Sequence, residues 1–256
     1  MADAKILEKG LKLLEELAQS AEGKSAVELA ELLGIHKTSV YRYLNTLLEM
    51  GYIRTDGNGA YHLGNKILEL GSHMLRRMPL REVAHPFLVK LSAETQKTVH
   101  LCVLDGAEVV YLDKVESQRS LPIISRIGSR APAYCTAVGK ALLSELPTEQ
   151  VLELLKRIPL EKRTEMTITD PIKLLEELRI TKERGYAVDN EEHEEGIKCY
   201  AALIRDYGGD VAGAISITGL CREFDRTEEL KKPRTTLIKI AAEISRALGY
   251  ANKERD

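Results

Sequence analysis

Apolar residues recur at helical spacing in three successive segments near the N-terminus. Leu7, Leu11, Leu14 and Leu17 share one side of residues 6–18. Val27, Leu29, Ala30, Leu32 and Leu33 supply an apolar side to the segment after Ser25, and Val40, Leu44, Leu47 and Leu48 do so for residues 36–50, so each segment is expected to be a helix facing a core. Ser25 followed by Glu28 is a capping-box pattern, and Gly34 permits the left-handed backbone that stops the second helix. In the third helix Thr38, Arg42, Asn45 and Glu49 fall opposite the apolar stripe. Hydroxyls, an amide and an arginine presented outward suit base edges and phosphates in a major groove, where Arg reads guanine and Asn reads adenine. A two-helix hairpin with a solvated polar face has the same pattern.

The next segment favours the groove-binding reading. GYIRTDGNGAYHLG holds two short alternating runs, Tyr52 to Thr55 and Ala60 to Leu63, around Asp56, Gly57, Asn58 and Gly59, which predicts a hairpin. Helix-turn-helix plus hairpin is a winged helix, here over residues 1–64. Its candidate DNA contacts are Lys37, Thr38, Ser39, Tyr41, Arg42 and Asn45 on the third helix and Arg54 on the wing, with His62 beside it. Residues 65–79 follow as a linker helix carrying Ile67, Leu68, Leu70, Met74 and Leu75 and ending near Pro79. Without a Gly/Ser-rich tether the connection is stiff, and its apolar side could pack on the wing or form a dimer seam.

From Thr98 the period changes to two. VHLCVLD, EVVYLDKVE and LPIISRIG are expected to form a meander. A Pro-containing loop then opens into a helix near Thr136, with further helices at residues 148–156 and 171–184. Strands return in GYAVDN, CYAALIRD and DVAGAISIT, the last two joined by a turn at residues 207–210, and an amphipathic helix over residues 226–248 buries Leu237, Ile240, Ala241, Ile244 and Leu248. Residues 80–256 thus read as an α+β domain with helices on a largely antiparallel sheet.

Seven Lys/Arg stand against nine Asp/Glu over residues 1–64, whereas a nucleic-acid module is usually basic. The attractive field must be local to His36, Lys37, Arg42 and Arg54, so weak non-specific affinity and reliance on paired, specific docking are expected. A net charge of −2 and 44% hydrophobic residues suit a soluble globular protein. No long uncharged apolar run suggests a membrane span, and the charged N-terminus does not read as a signal peptide, so a cytoplasmic protein is expected. Cys102, Cys135, Cys199 and Cys221 lack CxxC pairing and read as reduced thiols rather than a zinc site.

No enzyme motif stands out. HEEG at residues 193–196 lacks the second histidine of a zinc-protease helix and reads as an acidic surface loop, and AVGKAL lacks the glycine and hydroxyl of a phosphate-binding loop. No catalytic residue, metal or cofactor is therefore expected. A small-anion pocket is the better candidate. A helix opening at Thr136 offers unpaired N–H groups that favour a carboxylate, with Thr136, Ala137 and Gly139 small enough to let it approach. Asp189 ends one strand, Cys199 starts the next, and Ser216 and Thr218 alternate onto one face of a third, so they could bind the oxygens of a small polar acid. They could equally be a cap and ordinary strand residues. Tyr134 could stack on a ligand or belong to the core.

The order of these elements, with DGAEVVYLDKVES, SRIGSRAPAYCTAVGKALL, TITDP, ERGYAVDNEEHEEGIKCYAALIRD and VAGAISITG, resembles the IclR family of bacterial transcription regulators along nearly the whole chain. The resemblance implies a winged helix, a C-terminal effector domain related to the GAF fold, and dimers or tetramers on palindromic operator DNA. It also implies a small organic or sugar acid as effector, and family binding positions match Thr136, Ala137, Val138, Asp189, Cys199, Ser216 and Thr218. PAYCTAVGKALL and AVDNEEHEEGIKC are most similar to the branch answering 2-keto-3-deoxygluconate. One departure is His36, where many members have proline.

Overall fold

The computed structural model describes residues 2–56, 58–76, 79–117, 125–224 and 231–251. The chain divides into two compact units, residues 1–78 and 79–256.

The first unit contains α1 (Ala2–Ala18), α2 (Ala26–Leu33), α3 (Lys37–Glu49), the antiparallel pair β1 (Ile53–Thr55) and β2 (Tyr61–Leu63), and α4 (Asn65–Arg76). The Ser25 hydroxyl accepts the Glu28 N–H while the Glu28 carboxylate accepts the Ser25 N–H at 2.7 Å, closing the capping box. Gly34 ends α2 at φ 58°, sending its N–H back to the Ala30 and Glu31 carbonyls, a conformation in which a Cβ would crowd the following carbonyl. His36 precedes α3 without a side-chain cap bond. The wing turn is held by Asp56, whose Oδ1 accepts the N–H groups of Asn58 and Ala60 at 2.9 and 3.0 Å.

The core of this unit is Leu13, Leu17, Ala26, Leu29, Ala30, Ile35, Val40, Leu44 and Ile53, with Leu14, Leu33 and Leu47 packed against it. This corrects part of the expected apolar faces. Leu7 and Leu11 are 65% and 52% exposed, and Val27, Leu32 and Leu48 also reach solvent. The core takes only the second half of α1, so the apolar residues of its first half have nothing within the unit to cover them. On α4, Leu68 and Leu70 are likewise exposed, while the side chains of Met74 and Leu75 lie outside the described residues.

The second unit is α+β. In chain order it has α5 (Pro79–Thr95), β3 (Thr98–Asp105), β4 (Glu108–Val115), β5 (Arg130–Pro132), a 3-10 turn at Ala133–Cys135, α6 (Ala137–Leu143), α7 (Thr148–Leu155) and α8 (Pro171–Arg184). Then come β6 (Ala187–Asn190), β7 (Ile197–Arg205), β8 (Val211–Leu220), α9 (Cys221–Phe224) and α10 (Lys231–Ala247). The six strands form one antiparallel sheet in the order β5-β4-β3-β8-β7-β6. One face packs on α5 and α10 and the other on α6.

The described half of the expected strand LPIISRIG does not pair in the sheet. Leu121 to Ile124 lie outside the described residues, Ser125 to Gly128 form no strand, and β5 begins at Arg130. Gly128 turns there at φ 84°, which strand geometry does not allow. Residues 226–230 of the expected last helix are also outside the described residues. In α10, Leu237, Ile240, Ala241 and Ile244 are buried, whereas Leu248 lies past the helix end and is half-buried. No helix among the described residues is long and apolar enough to cross a membrane.

Candidate functional site

Two places in the chain gather chemistry. The first is the outer side of α3 with the wing. Lys37, Thr38, Tyr41, Arg42 and Asn45 are exposed on α3, Ser39 is half-buried at its start, and Arg54 is exposed on β1. Among the described residues, Lys37, Arg42 and Arg54 form no ion pair, whereas Lys12, Lys24 and Lys66 are matched to Glu8, Glu16 and Glu69. The cations without an ion pair among the described residues of the first unit include those on the candidate docking side. Arg42 lies 5.5 Å over the Tyr43 ring, which steers its stem without satisfying its N–H donors. His62 is less available than expected, being half-buried with Nε2 3.4 Å from Asp56.

The second is a polar patch on the sheet face beneath α6. Strand register aligns Asp189, Cys199, Thr218 and Thr98 across β6, β7, β8 and β3, and Ala201, Ser216, His100 and Lys114 in the adjacent row. Side chains alternate across a strand, so these rows share the α6 face while Val99, Leu101, Ile215 and Ile217 enter the opposite core. Toward the other strand ends, Cys102, Ala214 and Val109 lie in the apolar cluster around α6. The polar rows are thus a break in an otherwise apolar layer. The cavity they floor has a volume of about 50 Å3, and Thr136, Ala137, Val138, Asp189, Cys199, Ser216 and Thr218 all line it.

Thr136 caps α6, its hydroxyl accepting the Gly139 N–H at 3.3 Å. The N–H groups of Ala137 and Val138 are in the first turn, where helix geometry supplies no carbonyl partner. Gly139 has a different role from the one expected. A Cβ there would lie 2.2 Å from the Ala133 carbonyl oxygen, so its smallness lets the 3-10 turn press on α6 rather than admitting a ligand.

Asp189 is 3% exposed, and its Oδ1 accepts the N–H groups of Glu192 and His193 at 2.8 and 3.4 Å. Burial pushes its carboxyl up to about 7, and the neighbouring Glu192 carboxylate adds to the rise against the pull of those N–H groups and Lys140. Burial, with Asp189 close by, holds the Cys199 thiol protonated. The His193 ring, also on the cavity wall, is pushed down by burial and by Arg163.

Several parts of this site are absent from the sequence reading. His100 and Tyr111 line the same cavity, their rings edge to face at 5.1 Å. The loop after Asp189 is not merely a surface loop. Glu192 is buried and ion-paired with Lys140, which is wholly buried in α6, and Lys140 also lies 3.6 Å from Glu177 on α8. Thr164 and Thr167 donate to the Glu191 and Glu192 carbonyls, the latter at 2.7 Å, pinning the loop from its other side. Tyr134 belongs to the core, donating its hydroxyl to the Glu161 carbonyl at 2.8 Å. A larger groove of about 300 Å3 between α6, α8, β7 and α10 is less suited to ligand. Arg205 on its wall is already bound to Glu145 at 2.7 Å, and Ser245 to the Arg205 N–H at 3.0 Å.

Comparison with known proteins agrees with this architecture. The family description "Bacterial transcriptional regulator IclR C-terminal" matches residues 72–246, and "IclR helix-turn-helix domain" matches residues 6–57. The HTH-type transcriptional regulator KdgR of Escherichia coli is 36% identical over 239 residues, 93% of this chain and 90% of its own. The crystal structure of the Thermotoga maritima IclR is 38% identical, covering 96% of this chain and 100% of that one with a TM-score of 0.80. An IclR homolog from Microbacterium hydrocarbonoxydans complexed with 4-hydroxybenzoate shares the fold at a TM-score of 0.82 and 23% identity, covering 95% of this chain and 98% of that one. With one description covering most of the chain and the other its helix-turn-helix, this protein belongs to the IclR family of DNA-binding bacterial transcriptional regulators.

Proposed function

We propose that residues 1–64 bind one half of a palindromic operator, that residues 65–79 link them to an effector domain over residues 80–256, and that a small acid bound in the cavity beneath α6 changes operator affinity. Lys37, Thr38, Ser39, Tyr41, Arg42, Asn45 and Arg54 are the DNA contacts, with Arg42 and Asn45 reading base edges and the others positioning on phosphates. Half-sites a near-integral helical turn apart call for two copies of the chain. The exposed Ile6, Leu7 and Leu11 on α1 and Leu68 and Leu70 on α4 favour a homodimer or a homotetramer built as a dimer of dimers. The protein acts in the cytoplasm, as a repressor.

What supports the effector reading is that a single cavity takes its lining from five strands, α6, the residue just before it and the loop after β6. The ligand carboxylate is placed against the Ala137 and Val138 N–H groups, and Asp189, Cys199, Ser216 and Thr218 meet its remaining oxygens. Similarity of the pocket segments to the sugar-acid branch favours 2-keto-3-deoxygluconate or another keto or sugar acid, and 4-hydroxybenzoate in the Microbacterium homolog fits the same class of charge. About 50 Å3 holds a few waters, while drug-sized ligands occupy about 300–1,000 Å3. A bound acid therefore parts α6 from the sheet, and that movement couples the site to the operator. Such coupling is typically about 1–3 kcal/mol, or about 5- to 150-fold in affinity.

Thermal shift with keto, sugar and aromatic acids tests the pocket, an unmoved Tm across the set being the adverse result. For the DNA face, Arg42→Ala is expected to weaken operator binding by about 1–3 kcal/mol and to relax preference at one base position. A gel-shift titration with unchanged affinity would remove Arg42 from the interface.

A further inference from the structure

His100 is buried on β3, opposite Ser216 and one register step from Thr218. Both ring nitrogens meet hydroxyls. Nε2 lies 2.9 Å from the Ser125 Oγ, a normal hydrogen bond, whereas Nδ1 is shared between the Ser216 and Thr218 hydroxyls at 3.5 Å each. Contacts of that length are at the limit of hydrogen bonding, so an incoming oxygen can engage either hydroxyl without displacing a strong bond. Tyr111 packed edge to face fixes the plane of the ring. Burial, reinforced by the Lys114 ammonium, lowers the imidazole to about 3. The ring is therefore neutral, with one N–H donor and one lone pair. If the Ser125 hydroxyl donates to Nε2, the proton sits on Nδ1 and points at the two strand hydroxyls, which leaves the Ser216 proton free to turn toward the cavity, while the Thr218 hydroxyl also bonds the Cys199 thiol.

We propose that His100 is a specificity-determining residue of the effector site, aiming the Ser216 and Thr218 hydroxyls at a second oxygen of the bound acid, one beyond its carboxylate. The ligand class that follows is an oxygenated acid, keto, hydroxy or phenolic, in preference to the same acid without that oxygen. This inference rests on the acid-effector reading above. A site built to hydrogen-bond one substituent discriminates strongly against the analogue lacking it, because its polar groups are left unpaired.

Two pairs of acids separate the cases: pyruvate with propionate, and 4-hydroxybenzoate with benzoate. Calorimetric Kd values on the full chain are expected to favour the oxygenated member of at least one pair by about tenfold or more. In His100→Leu the ratio is expected to fall to about twofold or less, while His100→Gln, which keeps a donor and an acceptor, retains about fivefold or more. Should His100→Leu fail to fold, judged by Tm and unliganded operator binding, His100→Asn replaces it, its shorter amide being unable to span both hydroxyls. A wild-type ratio kept in His100→Leu or His100→Asn would overturn the role of His100, as would a wild type with no preference. Failure of all four acids to bind the wild type, with no Tm shift from the sugar acids either, would overturn the acid-effector reading together with this inference.

Discussion

Replacing Lys140 by methionine is expected to lower the free energy of unfolding by about 3–5 kcal/mol, the usual result of removing one partner of a buried ion pair. Lys140 is wholly buried in α6, and its ammonium is bound to Glu192 and lies 3.6 Å from Glu177. Glu192 depends on it heavily, because its buried Oε2 has no hydrogen-bond partner among the described residues. Burial already pushes the Glu192 carboxyl up, and Lys140 is the largest influence holding it down. Without the lysine, the carboxyl must be neutralised or the loop after Asp189 must leave α6. The variant's deficit should therefore shrink as pH falls and Glu192 takes up a proton. Adding Glu192→Leu should recover most of the loss, since an apolar pair of similar volume replaces a buried ion pair at little cost. Urea unfolding at neutral pH decides. A single-variant deficit below about 1 kcal/mol would mean that the pair holds nothing together.

Asp189→Asn is expected to remove a pH dependence from both stability and effector binding. The native Asp189 carboxyl keeps its proton up to about 7, whereas in an unfolded chain it ionises near about 4. Between those values the native state binds more protons than the unfolded state, so stability falls as pH rises. Asparagine leaves an oxygen for the Glu192 and His193 N–H groups but has no proton to lose, so its stability should be flatter from about pH 5 to about pH 8. The same charge opposes an anionic ligand. Effector affinity in the wild type should weaken above about pH 7, by at most about tenfold per pH unit for one linked proton, and Asp189→Asn should lack that limb. Urea unfolding and calorimetric binding at both pH values are the checks. Parallel wild-type and variant profiles would place the titration on another group.

Much of the first unit was legible because its signals are local. Ser25, Glu28 and Gly34 delimit α2 within ten residues, and Asp56 holds the wing turn through the Asn58 and Ala60 N–H groups. Periodicity could not say what an apolar stripe faces. Leu7 and Leu11 have the spacing of Leu13 and Leu17, but only the latter two meet the core. In the second unit Asp189 and Cys199 were suggested by their places at strand ends, and Ser216 and Thr218 by alternation along a single strand. The same alternation puts Thr98, His100 and Cys102 opposite Val99, Leu101 and Val103, so the signal for His100 was present, masked by the apolar run around it. Lys140 is another matter. It occupies a helix position that reads as core, and its partner Glu192 is 52 residues away in a loop that looks solvated. No local pattern encodes such a pair. The described end of the expected third strand has the opposite cause, since Ser125 to Ile127 continue a run that suggests a strand by content while Gly128 turns the chain and the short Arg130–Pro132 makes the pairing.

The central claim is that acid in the cavity beneath α6 changes the grip of α3 on DNA. Its most direct test is the Kd for a palindrome selected from random DNA, measured by fluorescence anisotropy at fixed modest salt with and without an acid that raises the Tm. The account predicts a shift of about 5- to 150-fold, lost in Asp189→Ala and left in place by Arg42→Ala. Tight acid binding with an unaltered operator Kd, or no preference for any palindrome, would contradict it.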